Sequence, residues 1–224
     1  MTTDLKTQRL NMVESQIRTN EVTDRRILDA MMDIDRENFV PAADRALAYM
    51  EGEISVQTGE EDGCRRTLLN PMVLAKLIQL ADIKETDLVL DVGCTTGYST
   101  ALLTYLTNSV VGLEQGAKLV EKASANLASA NIINAAIVEG PLNQGYSAEG
   151  PYDVILLNGR VNEPPETLLK QLKPGGRVVG VLGEGVTGKA KIWLNSATGW
   201  TSREAFDAAA SDLPGFDKDR QFTF

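Results

Sequence analysis

Histidine is absent from the 224 residues. That removes the commonest general base, the commonest metal ligand and every arrangement in which an imidazole activates a serine or cysteine. Chemistry on this chain has to run on carboxylates, hydroxyls, lysine, tyrosine or a cofactor. Cysteine is scarce as well: Cys64 and Cys94 stand alone, form no metal-binding spacing and read as reduced thiols. Aromatic residues make up only 5% of the chain. No apolar run approaches the roughly 20 residues that a membrane-spanning helix needs. The polar stretch 1–9 has no apolar signal core, so no membrane role and a cytoplasmic location are expected. Positive charge is also in short supply. Lys and Arg total 22 against 31 Asp and Glu, a net charge of -9, which argues against DNA or RNA as the main ligand. Only Arg65-Arg66 and Lys189 with Lys191 offer a local basic patch. Glu60-Glu61-Asp62 reads as a solvated loop, and no metal site is expected.

Hydrophobic residues reach 43% and charged residues 24%, the balance of a globular chain that can bury a core. The length suits a single α/β domain: an N-terminal helical extension, 1–83, on a core of 84–224. In the extension, Leu10, Val13 and Ile17 recur at helical spacing. Thr23 is placed to cap a second helix whose face carries Ile27, Ala30, Met31 and Ile34. Residues 50–66 are glycine-bearing and acidic and predict a strand or loop crossing the surface. Asn70-Pro71 predicts a helix start, since Asn caps well and proline is tolerated in the first turn.

From Asp87 the pattern alternates. Strands are predicted at 88–92, 110–114, 135–138, 152–157 and 177–182. Helices are predicted at 98–106, 118–130 and 165–172, and a final hairpin over 190–206 turns near Ala197-Thr198-Gly199, with Trp193 and Trp200 packing it. Strands separated by helices imply a parallel sheet covered on both faces.

Ligands of such sheets bind beyond the carboxyl ends of the strands. Asp91-Val92-Gly93-Cys94-Thr95-Thr96-Gly97 lies there, between the first core strand and a helix. A dinucleotide fingerprint fails, because Thr95 and Tyr98 stand where its second and third glycines belong. An acidic residue, a spacer and a glycine loop instead match the adenosyl-cofactor pattern through Asp91, Gly93 and Gly97. Glu114 follows Gly93 by 21 positions at the end of the next strand, where a carboxylate can accept both ribose hydroxyls of an adenosine.

From about residue 9 to at least 183 the chain resembles the protein-L-isoaspartate O-methyltransferases. The likeness runs through Met12-Val13, Val22-Thr23-Asp24 and Ile34-Asp35-Arg36-Glu37-Asn38-Phe39-Val40-Pro41, then the cofactor loop from Leu88 to Tyr98. It continues through Tyr152-Asp153-Val154-Ile155, Pro165, Leu168, Gln171-Leu172 and Gly175-Gly176-Arg177. The resemblance implies a class I S-adenosylmethionine-dependent methyltransferase fold, Rossmann-like, with a mostly parallel seven-stranded sheet, an antiparallel C-terminal hairpin and the N-terminal helical extension. It implies S-adenosylmethionine as cofactor and a peptide or protein carboxylate as acceptor, in repair of isoaspartyl damage. A carboxylate nucleophile is already ionised at neutral pH, which suits a chain without histidine.

The resemblance places Asp91, Gly93, Cys94, Thr95, Gly97, Tyr98, Glu114, Gln115, Gly140, Pro141, Leu142 and Asn158 around that cofactor. The family's substrate-contacting serine corresponds to Leu69, which leaves Thr67 or Asn70 to supply a polar group. The chain departs from the family elsewhere too: the loop 59–66 is longer and more charged, Thr95 replaces the middle glycine, Pro141 an aspartate, and Asn158-Gly159-Arg160 a Thr-Ala-Ala run. Three functions stay open at this point. They are isoaspartyl O-methylation, methylation of another acceptor to which Arg160 could lend its charge, and a catalytically impaired protein acting through protein contacts.

Overall fold

The structure is a computed structural model that describes residues 4–56, 66–185 and 187–216. The charged loop as far as residue 65, with Cys64 and Glu60-Glu61-Asp62, lies outside the described residues.

The N-terminal part is helical. Helix α1 (Leu5–Met12) continues into a π-helical turn (Val13–Ile17), and α2 spans Arg25–Asp33. The π turn inserts a residue into the helical repeat, and the buried face then centres on Met12, Val13 and Ile17. Leu10, expected on that face, is instead 45% exposed. The cap of α2 is also one residue later than expected. The Asp24 carboxylate accepts from the Arg26 amide at 2.9 Å, whereas the Thr23 amide donates to Gln79 at 2.7 Å. Within 50–66, strand β1 (Ile54–Ser55) pairs antiparallel with β2 (Thr67–Leu68). Helix α3 (Pro71–Ala81) starts as expected, with Asn70 Oδ1 accepting from the Met72 amide at 2.9 Å and Pro71 in the first turn.

The core follows as β3 (Leu88–Val92), α4 (Tyr98–Leu103), β4 (Ser109–Glu114), α5 (Ala117–Ser129), β5 (Ala135–Glu139), β6 (Tyr152–Val161), α6 (Glu166–Leu169), β7 (Leu172–Leu182), β8 (Gly188–Ser196) and β9 (Gly199–Ala208). These strands make one seven-stranded sheet in the order β5-β4-β3-β6-β7-β8-β9. Pairings among β3 to β7 are parallel, while β8 and β9 run antiparallel at the edge. The fold is the class I methyltransferase arrangement expected from the sequence. Strand β3 sits where the strand order reverses, with β4 on one side and β6 on the other. Its near-continuous burial is what a strand covered on both faces requires.

Differences from expectation concentrate after β5. Strand β6 runs on to Val161, and α6 is only four residues long. Pro174-Gly175-Gly176, expected as a turn, lies within β7 beside a register irregularity. There, a side chain on Gly176 would meet the Lys173 and Tyr152 carbonyl oxygens at 2.9 and 3.0 Å. The hairpin turns between β8 and β9 as expected. Trp193 is buried in the core, but Trp200 remains 45% exposed.

The N-terminal helices share one continuous apolar core with the sheet, from Met12 and Ile27 to Val154 and Val179. Among the described residues, no helix is long and apolar enough to cross a membrane.

Candidate functional site

The site forms at the carboxyl ends of β3 and β4. Asp91 sits one residue before the end of β3 and is fully buried. Its carboxylate accepts from Ser99 Oγ at 2.8 Å and Thr100 Oγ1 at 2.6 Å, and also from Asn158 Nδ2 at the end of the β6 core. Burial pushes the Asp91 carboxyl up to about 6, against the opposing hydrogen bonds from Thr100, Ser99 and Asn158.

After β3 the chain turns on Gly93 at φ 78° and Gly97 at φ 93°, both in the region that favours glycine. Between them Thr95 adopts φ 52°, an unusual conformation for a β-branched residue. Two hydrogen bonds hold it there: its amide donates to Glu114 Oε2 at 2.7 Å, and its hydroxyl to the Cys94 carbonyl at 2.8 Å. Cys94 is buried, and burial, with Asp91 and Glu114 nearby, pushes its thiol well above the usual range. Such a thiol is inert packing rather than a nucleophile.

The loop is clamped from the N-terminal side. Thr96 Oγ1 donates to the Phe39 carbonyl at 2.6 Å. Arg36, fully buried, donates to the carbonyls of Ala48 at 2.9 Å and Leu69 at 2.8 Å. Its guanidinium lies 4.7 Å from the centre of the Tyr98 ring, which also meets Phe39 edge-on. Tyr98 thus packs towards the N-terminal segment. One arginine ties together the loop before α3, the start of α4 and the 34–41 segment.

At the end of β4, Glu114 is fully buried. Oε1 accepts from the Gln115 amide at 2.8 Å. Oε2 accepts from Thr95 and also from Arg66 Nη2 at 2.6 Å, in an ion pair whose side chains are 5% and 0% exposed. Arg66 is therefore no part of a surface basic patch. Lys189 is exposed and faces Asp207. Over Gly93, a side-chain carbon would meet Leu213 Cδ2 at 2.7 Å, Arg66 Nη2 at 3.0 Å and Leu142 Cδ1 at 3.7 Å.

The remaining predicted residues fall into two groups. Gly140 donates its amide to the Glu114 carbonyl at 3.1 Å, Pro141 is exposed, and Leu142 is buried beside Gly93. Thr67 is buried in β2, Leu69 is buried, and the Asn70 side chain is engaged as the cap of α3. Arg160 does not face an incoming acid: it pairs with Asp212 at 2.7 Å and donates to the Gly185 carbonyl. Among the described residues, no group of three or more His, Cys, Asp or Glu could hold a metal ion.

An adenosyl group can be tested against this geometry. The donor set fits it: a buried carboxylate closes each of two adjacent strands, beside a tight glycine turn. The space does not fit it in this conformation. Arg66 lies on the carboxylate that would receive ribose hydroxyls, and Leu213 fills the gap that Gly93 leaves open. Sequence reasoning missed Arg66 and Leu213 as site residues, because both reach the cleft from distant parts of the chain.

The family model for protein-L-isoaspartate(D-aspartate) O-methyltransferase matches residues 7–198. A protein-L-isoaspartate O-methyltransferase of Methanoculleus marisnigri is 35% identical over 176 residues, covering 79% of this chain and 77% of that protein. A solved protein-L-isoaspartate O-methyltransferase superposes with a TM-score of 0.79 at 24% identity, over 92% of this chain and 66% of that longer one. A second structure, assigned to the same enzyme from Plasmodium falciparum and carrying S-adenosyl-L-homocysteine, has a TM-score of 0.74 at 20% identity. It covers 97% of this chain and 100% of that one. The two structures support the fold; the family model, together with the sequence relative, decides the family. Its match runs through the N-terminal helices as well as the strands that carry Asp91 and Glu114, and so the chain belongs to the protein-L-isoaspartate O-methyltransferase family.

Proposed function

We propose that this chain is an S-adenosylmethionine-dependent O-methyltransferase of protein-L-isoaspartate type. Its acceptor is a carboxylate of a damaged peptide or protein, and it works in the cytoplasm. The observation that carries the reading is the family match across both the N-terminal segment and the cofactor loop. The buried carboxylates of Asp91 and Glu114 at the ends of β3 and β4 support it. So does the absence of histidine, since an ionised carboxylate acceptor needs no general base. The free, buried thiol of Cys94 suits a reducing compartment.

On this reading Asp91, Gly93, Gly97 and Glu114 bind the cofactor, with Asn158 orienting Asp91. Thr67 and Asn70 flank Leu69, which the resemblance sets at the family's substrate-contacting serine, and are the candidates for contacting the acceptor. The test is transfer of labelled methyl from S-adenosylmethionine to an isoaspartyl peptide, beside the same peptide with ordinary aspartate. Label above the control is expected on the isoaspartyl peptide alone; none above control would remove the activity.

One observation favours a second reading. The Arg66–Glu114 pair fills the cleft from within, as a protein that retains the fold but acts through protein contacts would allow. Calorimetry with S-adenosylmethionine separates the two, because only the first requires binding.

A further inference from the structure

The cleft beside β3 is occupied by two side chains of the chain itself. Arg66 Nη2 lies 2.6 Å from Glu114 Oε2, and both side chains are buried. The same oxygen accepts from the Thr95 amide, and Oε1 from the Gln115 amide. Each oxygen is thereby engaged within the protein, and the guanidinium covers Oε2. The second side chain, Leu213, fills the openings above two glycines: its carbons lie 2.7 Å from a side-chain carbon placed on either Gly93 or Gly159. Leu213 is seated by backbone bonds, with its amide donating to the Arg160 carbonyl at 2.8 Å and the Arg160 amide donating to Ser211 at 2.8 Å.

The Arg66 pair is not a fully satisfied one. Its Nε is buried without a hydrogen-bond partner among the described residues. Buried ion pairs that only hold a fold together ordinarily have their remaining donors satisfied. Arg36 Nη1 and the Tyr98 hydroxyl are likewise unpartnered among the described residues, so it is the position of the Arg66 guanidinium on Glu114 Oε2 that sets this pair apart.

We propose that Arg66, backed by Leu213, is an internal competitor for the adenosyl site. It holds Glu114 in a closed state from which the cofactor must displace it. The proposal rests on the reading that this cleft takes an adenosyl cofactor. Its consequence is quantitative. When the binding-competent state is a minor fraction of the molecules, the apparent dissociation constant rises by the inverse of that fraction, so about 10% open means about tenfold weaker binding.

The experiment is calorimetric titration of the full chain with S-adenosylhomocysteine, for the wild type, Arg66→Ala, Leu213→Ala and the exposed control Lys189→Ala. Thermal shift by the same ligand serves as a second readout. Arg66→Ala should bind at least about tenfold tighter than the wild type, which is at least about 1.4 kcal/mol. Leu213→Ala should also bind more tightly, and Lys189→Ala should match the wild type. If Arg66→Ala does not fold, Leu213→Ala decides. Equal affinities in the wild type and both cleft variants overturn the proposal, as does a lack of binding by all of them at millimolar ligand. The two readings also fail separately. Variants that bind tightly yet methylate no isoaspartyl peptide remove the activity and leave the competition standing. A wild type that turns over with an affinity that neither substitution changes does the reverse.

Discussion

Replacing Asp91 by asparagine should make the protein's stability less sensitive to pH, and the size of the effect follows from the site. The carboxyl is fully buried and pushed from its ordinary 3.8 to about 6. Because the folded value is raised, the folded state binds the proton more tightly than the unfolded chain does. The associated stability is fully present below 3.8 and is lost as pH rises through about 6. The whole span corresponds to about 3 kcal/mol at about 1.4 kcal/mol per pH unit. Between pH 4.5 and 7.5 the wild type should lose about 2 kcal/mol through this one group, most steeply near pH 5. In Asp91→Asn this pH dependence is absent. The amide oxygen can still accept from Asn158, and the Ser99 and Thr100 hydroxyls can turn to accept from the amide nitrogen. Urea unfolding of both proteins at half-unit pH steps gives the difference curve, in which the other titrating groups cancel. That curve should fall by about 2 kcal/mol from pH 4.5 to 7.5. A difference flat to within about 0.5 kcal/mol would show that Asp91 titrates alike in both states and would refute the argument.

Two further substitutions test the supports of the site. Asn70→Ala removes the side-chain cap of α3 and should cost about 1 kcal/mol in urea unfolding, while Asn70→Ser should retain most of that stability; a loss below about 0.3 kcal/mol in Asn70→Ala would show that the cap contributes nothing. Arg36→Met leaves the Ala48 and Leu69 carbonyls without their donors and should destabilise by about 2–4 kcal/mol. A loss below about 1 kcal/mol by the same measurement would mean that the guanidinium's own desolvation had cancelled its bonds.

Much of this architecture can be read from local pattern. Leu88-Val89-Leu90 ending at Asp91-Val92-Gly93 is an apolar run closed by a glycine, and it forms the central strand. Asn70-Pro71 carries its own start signal and caps α3. Glu114 was legible because strand spacing places it beside Asp91. What escaped is long-range. Arg66 and Glu114 are 48 positions apart, and no periodicity near Arg66 distinguishes a buried guanidinium from a surface one. Leu213 reaches Gly93 only because the segment after β9 folds back along β6, through the isolated bridge between Arg160 and Asp212. Neither the π turn at Val13–Ile17 nor the exposure of Leu10 left a mark in a pattern whose apolar spacing looked regular. Thr95 shows the opposite case. Its departure from glycine is plain in the sequence, but the bonds to Glu114 and Cys94 that make its backbone tolerable appear only in three dimensions.

The Arg66–Glu114 contact also sets an electrical condition on whatever enters the cleft. Glu114 is buried against the Arg66 guanidinium, while Asp91, also buried, is held by the Ser99 and Thr100 hydroxyls and the Asn158 amide. Moving Arg66 out therefore exports a positive charge from a region of low dielectric, where an unbalanced anion is costly. A neutral ligand of the right shape inherits that imbalance, while a cationic one corrects it. If Arg66 is exchanged for a ligand as proposed, the preference among ligands of one shape should follow their charge.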